Sequence, residues 1–375
     1  MKVLTSLGKI GAADIIGNGI TASFWFLIAS WMHPTEFGEL NYYLGIAGIT
    51  SFIIMLGTDN TITVYVAKKI PIHTALYSIS FLLFIPVSII LFLLFSRIDI
   101  LFLAIAYTIG TLSIGEIFGN RIYDSYFKYV LIQKSLTFVL GLLFFYQFGA
   151  NGLIFALAIT YTPYVYRIVR EFKNVKIDFT LLKNRWGFII NNYTIVLTYG
   201  FWGQIDKLIV MPLLGATVLG NYSLALQVIT ALMILPSIIF KYLLPQESHG
   251  KNPEAARRIL VTISVLITLV GFFIVPEIIP IVYPKFSQAV DAIKIMSISF
   301  LPSSIVRIYT SKFLSMEKSR FILISQIISV TIMTISMLAL GNIFGLNGIA
   351  VSYVASIIIQ ATFLFLINKN YRISV

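Results

Sequence analysis

Ionisable side chains are scarce in this sequence, and those standing alone in long apolar stretches carry most of its chemical information. Of 375 residues, 27 are Lys or Arg, 15 are Asp or Glu and 3 are His. Arg121 and Arg307 come first, because each opens a matching segment: Arg121-Ile122-Tyr123-Asp124-Ser125-Tyr126-Phe127 and Arg307-Ile308-Tyr309-Thr310-Ser311-Lys312-Phe313. A guanidinium pairs bidentately with phosphate, which makes Arg a better candidate than Lys for an anionic ligand. Lys128 and Lys207 are further cations, and Asp206 adjoins Lys207. Asp14 and Glu116 are candidate proton or sodium sites. Each residue also has a plainer reading. The two arginines can mark helix ends held by headgroups or by Asp124, Asp14 can pair with Lys9, and Glu116 can pair with Arg121. Asp206 and Lys207, being adjacent, point to different sides of a helix and need no mutual pairing, whereas Asp291 and Lys294 are spaced for an intrahelical pair.

The elements that position these groups follow from composition. Hydrophobic residues make up 58% of the chain and charged residues 11%, against roughly a quarter charged in soluble domains. A soluble fold of this size cannot hide so much apolar surface. Residues 74–96, 186–205, 208–240 and 321–368 contain no Asp, Glu, Lys or Arg, and a helix needs about 20 apolar residues to cross the hydrocarbon layer. The apolar runs are continuous, which excludes the alternating pattern of a membrane β-barrel. The expected fold is therefore all-α and polytopic, with helices near 10–32, 39–58, 74–95, 100–119, 127–147, 151–168, 186–209, 216–239, 259–280, 287–311, 321–342 and 347–367. Within such helices an ionised side chain costs about 2.5–3.5 kcal/mol at the bilayer centre, so deep charges point to function. Pro163, Pro212, Pro236 and Pro302 fall within or beside helices, and Pro302, next to Ser303 and Ser304, is a hinge candidate.

Loop charge sets the expected orientation. Lys and Arg alternate between connections, 23 on one side and four (Arg97, Lys207, Lys285 and Lys294) on the other. The rich side includes Lys2 and Lys9, Lys68 and Lys69, Arg121 with Lys128 and Lys134, the run from Arg167 to Arg185, Lys251 with Arg257 and Arg258, and finally Lys369 and Arg372. The positive-inside rule then predicts that both termini are cytoplasmic, and the plasma membrane is the expected location. The first apolar run is too long for a signal peptide and is read as a retained helix.

The basic run from Arg167 to Arg185 divides the chain into an N-terminal half, 1–175, and a C-terminal half, 176–375. Besides the arginine segments, Phe148-Gly149-Ala150-Asn151-Gly152 matches Phe344-Gly345-Leu346-Asn347-Gly348, and Thr35-Glu36-Phe37-Gly38 matches Thr217-Val218-Leu219-Gly220. The offsets are similar and the order is the same, so two parallel six-helix repeats are expected around a central cavity, an arrangement suited to alternating access.

Specific segments then point to a family. Trp31-Met32-His33-Pro34-Thr35-Glu36-Phe37-Gly38-Glu39-Leu40-Asn41-Tyr42, Gln204-Ile205-Asp206-Lys207-Leu208-Ile209 and Leu219-Gly220-Asn221-Tyr222-Ser223-Leu224-Ala225 resemble polysaccharide flippases of the multidrug/oligosaccharidyl-lipid/polysaccharide exporter superfamily. Phe313-Leu314-Ser315-Met316-Glu317-Lys318 and Phe344-Gly345-Leu346-Asn347-Gly348-Ile349-Ala350 are similar to the segments around helix eleven there. The resemblance implies a transporter that flips a polyprenyl-diphosphate-linked oligosaccharide to the outer leaflet for cell-surface polysaccharide biosynthesis. It also implies H+ or Na+ as candidate coupling ions, and membrane lipids and polysaccharide-assembly proteins as partners. A cation-coupled multidrug exporter of the same superfamily is the alternative. The chain is short for the lipid II branch, and helix two lacks the early arginines of family members.

Other classes fit poorly. A polymerase or glycosyltransferase needs a sizeable outer loop or an Asp-rich metal motif, and neither is present, so no enzymatic activity and no cofactor are expected. His33, His73 and His249 lie in separate segments with no metal-ligand spacing, and no Walker-type phosphate loop occurs. Cysteine is absent. The net charge of +12 is spread between apolar spans, so nucleic acid is not an expected partner.

Overall fold

A computed structural model describes residues 2–56, 58–183, 185–248, 253–316 and 318–371. His249, Lys251, Glu317 and Arg372 lie outside the described residues. Among those described, every regular element is helical. The chain forms two compact units, one of Met1–Ile28 and Tyr43–Gln204, the other of Ala29–Tyr42 and Ile205–Val375.

The first unit contains most of α1 (Lys2–Trp31), the latter part of α2 (Pro34–Met55), α3 (Thr58–Ala67), α4 (His73–Phe95), α5 (Ile98–Gly119), α6 (Tyr123–Ile159), α7 (Thr162–Asn174), α8 (Thr180–Lys183) and α9 (Trp186–Trp202). The second contains α10 (Ile205–Leu214), α11 (Ala216–Leu232), α12 (Ile234–Ser248), α13 (Glu254–Leu269), a π-helical turn (Val270–Ile274), α14 (Val275–Val282), α15 (Ala289–Ser297), α16 (Phe300–Ser315) and α17 (Ser319–Tyr371). The end of α1 and the start of α2 belong to this second unit.

Lipid is the solvent for much of this surface. On α4, Leu82, Ile85, Leu93 and Leu94 are each more than half exposed, an arrangement that water would not tolerate over a whole helix. Among the described residues six helices are long and apolar enough to cross a bilayer, and nine spans result if each of three bent pairs counts as one. The chain is thus a multi-pass membrane protein.

Two of the six long spans are hairpins. Gly149 in α6 (φ 63°, ψ −154°) and Gly345 in α17 (φ 57°, ψ −134°) occupy a region open essentially to glycine alone. The chain reverses there. A Cβ on Gly152 would sit 3.1 Å from the carbonyl of Phe144, and one on Gly348 would collide with that of Leu340, although eight residues of straight helix span about 12 Å. Gln133 donates to Thr160 at 3.3 Å, and Gln360 to Ser325 at 3.4 Å, each joining the two arms of its hairpin. Counting two passes in each of α6 and α17 raises the nine spans to eleven among the described residues.

Prolines stand at two of the three bent pairs. The helices α11 and α12, and likewise α15 and α16, meet at 44°. Pro236 and Pro302 each lie in the first turn after the bend, where the missing N–H leaves the carbonyl four residues earlier unpaired. Pro302, the hinge candidate, therefore sits at a real bend. In the second unit the starts of α2 and α11 cross reciprocally. A Cβ on Gly38 would overlap the carbonyl of Ala216, one on Gly220 would overlap that of Pro34, and the hydroxyls of Thr35 and Thr217 meet at 2.8 Å.

Candidate functional site

The charged side chains collect in each unit separately. In the first, Glu116, in the last turn of α5, is 1% exposed. It accepts hydrogen bonds from Arg167 on α7 and from Asn120, and the Arg167 guanidinium lies 5.8 Å from the Tyr129 ring centre. One helical turn along α7, Glu171 lies 3.2 Å from Nε2 of His73 at the start of α4. His73 Nδ1 and the Tyr77 hydroxyl are buried behind this cluster without hydrogen-bond partners. In front of it a cavity of about 540 Å³ opens among Glu116, Asn120, Ser125, Tyr129, Tyr166 and Arg170.

This geometry revises several sequence expectations. Glu116 pairs with Arg167, not Arg121. Arg121 stands in the turn between α5 and α6, exposed and in a left-handed conformation (φ 58°), because the chain must turn sharply after Gly119. Arg307, by contrast, lies inside α16 and is half-buried, so the two arginines do not occupy matching helical sites. Asp14 is deep in α1 and accepts from the Tyr126 hydroxyl at 2.7 Å. Lys9 pairs with Asp124 at 2.5 Å. Lys128 and Lys134, assigned above to a connection, are both within α6, since that helix starts at Tyr123, four residues earlier than expected. Lys128 is exposed, whereas Lys134 is half-buried. The aliphatic stem of Lys134 packs on Gly17 of α1, and no carboxylate pairs with it among the described residues.

Sequence reasoning passed over Asp59. It lies in the first turn of α3, a helix within the stretch between 58 and 74 where only a connection was expected, and its Oδ1 is buried without a hydrogen-bond partner. The break itself was the available signal, a Gly57-Thr58-Asp59-Asn60 run interrupting the apolar pattern.

In the second unit Asp206 opens α10 and is 4% exposed. Its carboxylate accepts from the buried Tyr222 hydroxyl at 3.0 Å and from the Lys207 amide at 2.8 Å. The Lys207 ammonium lies 3.7 Å away, so these neighbours do form a pair: the flexible lysine stem folds back over the helix start. Tyr353 on α17 feels both the Asp206 carboxylate and the Arg307 guanidinium. Arg307 lies 5.9 Å from the Phe240 ring centre and has no carboxylate partner among the described residues. A second buried acid, Glu247, binds Arg257 at 2.5 Å and accepts from Ser311 at 2.5 Å. The pair expected between Asp291 and Lys294 does not form, although both lie on α15. Among the described residues no group of three His, Asp or Glu could hold a metal ion.

Chemically, Glu116, Asp206 and Glu247 are neutralised within their own units. Among the described residues Lys134 and Arg307 are left without a carboxylate partner, and Asp59 with one buried carboxylate oxygen that accepts no hydrogen bond. Outside the spans, the hydroxyl and amide of Thr180 donate to Asp178 and hold its carboxyl below the usual range.

No family model matches the chain, and no curated protein matches it. Solved structures do. An inward-facing multidrug resistance MATE family transporter of the MOP superfamily aligns over 98% of this chain and 98% of its own, with a TM-score of 0.70 and 13% identity. The lipid II flippase MurJ in an inward closed conformation aligns over 95% of this chain and 87% of its own, with a TM-score of 0.69 and 12% identity. A MOP superfamily transporter from Pyrococcus furiosus, noted for the reverse polarity of its binding pocket, aligns at TM-score 0.56 and 15% identity over 98% and 95%.

Proposed function

We propose that this chain, which has the fold of the MOP superfamily transporters, is itself a transporter of that kind. Its substrate is an anionic lipid-linked oligosaccharide, moved from the cytoplasmic to the outer leaflet of the plasma membrane by alternating access. Both termini are cytoplasmic on this reading, and the protein performs no covalent chemistry. The observation that carries the choice of substrate is the pair of cations, Lys134 and Arg307, that membrane-spanning helices hold without a carboxylate. Keeping a cation at such depth costs several kcal/mol unless an anion visits it, and a diphosphate is such an anion. Asp14 and Asp59 are the candidate proton or sodium sites, and the 44° bend at Pro302 is the candidate hinge.

The test is flipping of a fluorescent polyprenyl-diphosphate oligosaccharide by the purified chain in proteoliposomes. Lys134→Ala with Arg307→Ala should abolish flipping without lowering expression or the unfolding temperature. Arg121→Ala, at an exposed turn, should retain most of it. Full transport by the Lys134/Arg307 double variant would remove both residues from the substrate path. A second reading, cation-coupled drug export, draws on Asp59, because an unneutralised acid suits a cationic drug. Efflux of a cationic dye driven by a pH gradient, lost in Asp59→Asn, would favour it over the first.

A further inference from the structure

The cavity beside the Glu116–Arg167 pair belongs to one unit, and the transport reading does not use it. Its charges reduce to a simple remainder. Arg167 is neutralised by Glu116, and Glu171, which also lines the cavity, accepts a hydrogen bond from the His73 imidazole. Arg170 is left as the lining cation, alongside the hydroxyls of Ser125 and Tyr166. The pocket therefore offers the guanidinium of Arg170, which has no ion pair among the described residues, with hydroxyl partners, and both of its lining carboxylates already hold a donor. The volume of about 540 Å³ falls within the range of small-ligand sites.

Position narrows the occupant further. The pocket lies where α5 ends, α6 begins and α7 runs out, the level at which His73 starts α4. Its rim carries exposed apolar side chains, Ile122 at 39% and Tyr166 at 67%, and Val169 at 46% lies beside Arg170 on α7. A helix with basic and apolar flanks of this kind sits at the headgroup level of a bilayer. Such a mouth suits a ligand with a polar head and a hydrocarbon tail.

We propose that this pocket binds the headgroup of an anionic glycerophospholipid, with the phosphodiester on Arg170 and the headgroup hydroxyls on Ser125 and Tyr166. A single cation matches the single negative charge of a phosphodiester better than the multiple charge of a diphosphate. The zwitterionic alternatives, ethanolamine and choline headgroups, would bring an ammonium to a site whose two carboxylates are already engaged. Phosphatidylglycerol therefore fits the remaining chemistry best.

The experiment is native mass spectrometry of the purified full chain, with phosphatidylglycerol, phosphatidylethanolamine or phosphatidylcholine of identical acyl chains. Phosphatidylglycerol should be retained preferentially, and Arg170→Gln should weaken its retention about tenfold, the loss expected for one charge-assisted hydrogen bond. Lys173→Gln, an exposed cation on the same helix, should leave retention unchanged. A circular dichroism spectrum identical to wild type shows that each variant is folded. Equal retention of the three lipids, or of phosphatidylglycerol by wild type and Arg170→Gln, would overturn the proposal. Displacement by free glycerol 3-phosphate would overturn its lipid component, and preferential capture of a polyprenyl diphosphate would make the pocket a substrate subsite instead. The readout is binding, so a failure here leaves the transport reading standing, and the converse also holds.

Discussion

Removing Arg167 tests whether the buried charges of the first unit hold that unit together. The Glu116 carboxylate is 1% exposed and the Arg167 side chain 11%, so the carboxylate has no water to fall back on and the guanidinium only the cavity mouth. In Arg167→Met the carboxylate keeps Asn120 as a donor but loses its counter-charge, an event that costs about 3–5 kcal/mol in buried pairs. That is a factor of about 10² to 10⁴ in the folded-to-unfolded ratio. Glu116→Gln is milder. The amide oxygen still accepts from Arg167, and the guanidinium keeps the Tyr129 ring and the partly wet cavity mouth, so about 1–3 kcal/mol is expected. In the double variant no charge is buried, and Met and Gln nearly fill the original volume. Its loss should stay below about 2 kcal/mol, because buried pairs exchanged for apolar or neutral groups are often close to neutral overall. The singles should thus be strongly non-additive, with a coupling of at least about 2 kcal/mol. Unfolding in mixed detergent–SDS micelles, followed by circular dichroism, gives all four stabilities. If the two single losses sum to the double within about 0.5 kcal/mol, the residues are uncoupled and the assignment of Arg167 as the partner of Glu116 is wrong.

Four further outcomes are expected. Thr35→Cys with Thr217→Cys should cross-link on mild oxidation, because the native hydroxyls are 2.8 Å apart; failure to form the disulfide in folded protein would refute the reciprocal crossing. Gly149→Ala and Gly345→Ala should each cost about 1–3 kcal/mol, since both glycines hold backbone angles that a Cβ forbids, and thermal unfolding of either variant at the wild-type temperature would argue against the hairpins. Pro302→Ala restores the missing N–H and should straighten the α15–α16 bend; spin labels at 291 and 309 should move apart, and an unchanged distance would assign the bend to another cause. Asp178 has a depressed carboxyl in the folded chain, so its contribution to stability is present above the ordinary carboxylate range and is lost as the pH falls through it. Thr180→Ala should flatten that acid limb, and an unaltered pH profile would refute the assignment.

Much of the architecture could be read from the residues because it depends on local rules. Uncharged runs of bilayer length, prolines at bends and glycines at reversals act within a few residues of themselves, and a chain read in order exposes them. Phe148-Gly149 and Phe344-Gly345 announced both hairpins in this way, and Pro302 announced its bend. What the sequence hid depends on distance. Glu116 and Arg167 are 51 residues apart, and nothing on either helix points to the other. Arg121 was the nearer candidate, but the left-handed turn that carries it removes it from the face where Glu116 is buried. Lys134 was hidden by a different mechanism. Counting loop charges assigns every cation to the nearest connection, whereas a long aliphatic stem lets a lysine lie well inside a helix and pack on a glycine such as Gly17.

This difference bears on where function is found in such a chain. Charges at helix ends orient the protein and are numerous, so the sequence shows them first. Charges that lack a partner at depth are few, and only packing shows that they have none. Packing brought Asp59 and Lys134 to attention and left Arg307, already a sequence candidate, without a carboxylate among the described residues, while Glu116, Asp206 and Glu247, more deeply buried, were already satisfied. On the function proposed above, burial alone would rank these six side chains in nearly the reverse order. A neutralised acid behaves as a structural strut, and an isolated cation at the same depth stores an electrostatic cost that a passing phosphate can relieve.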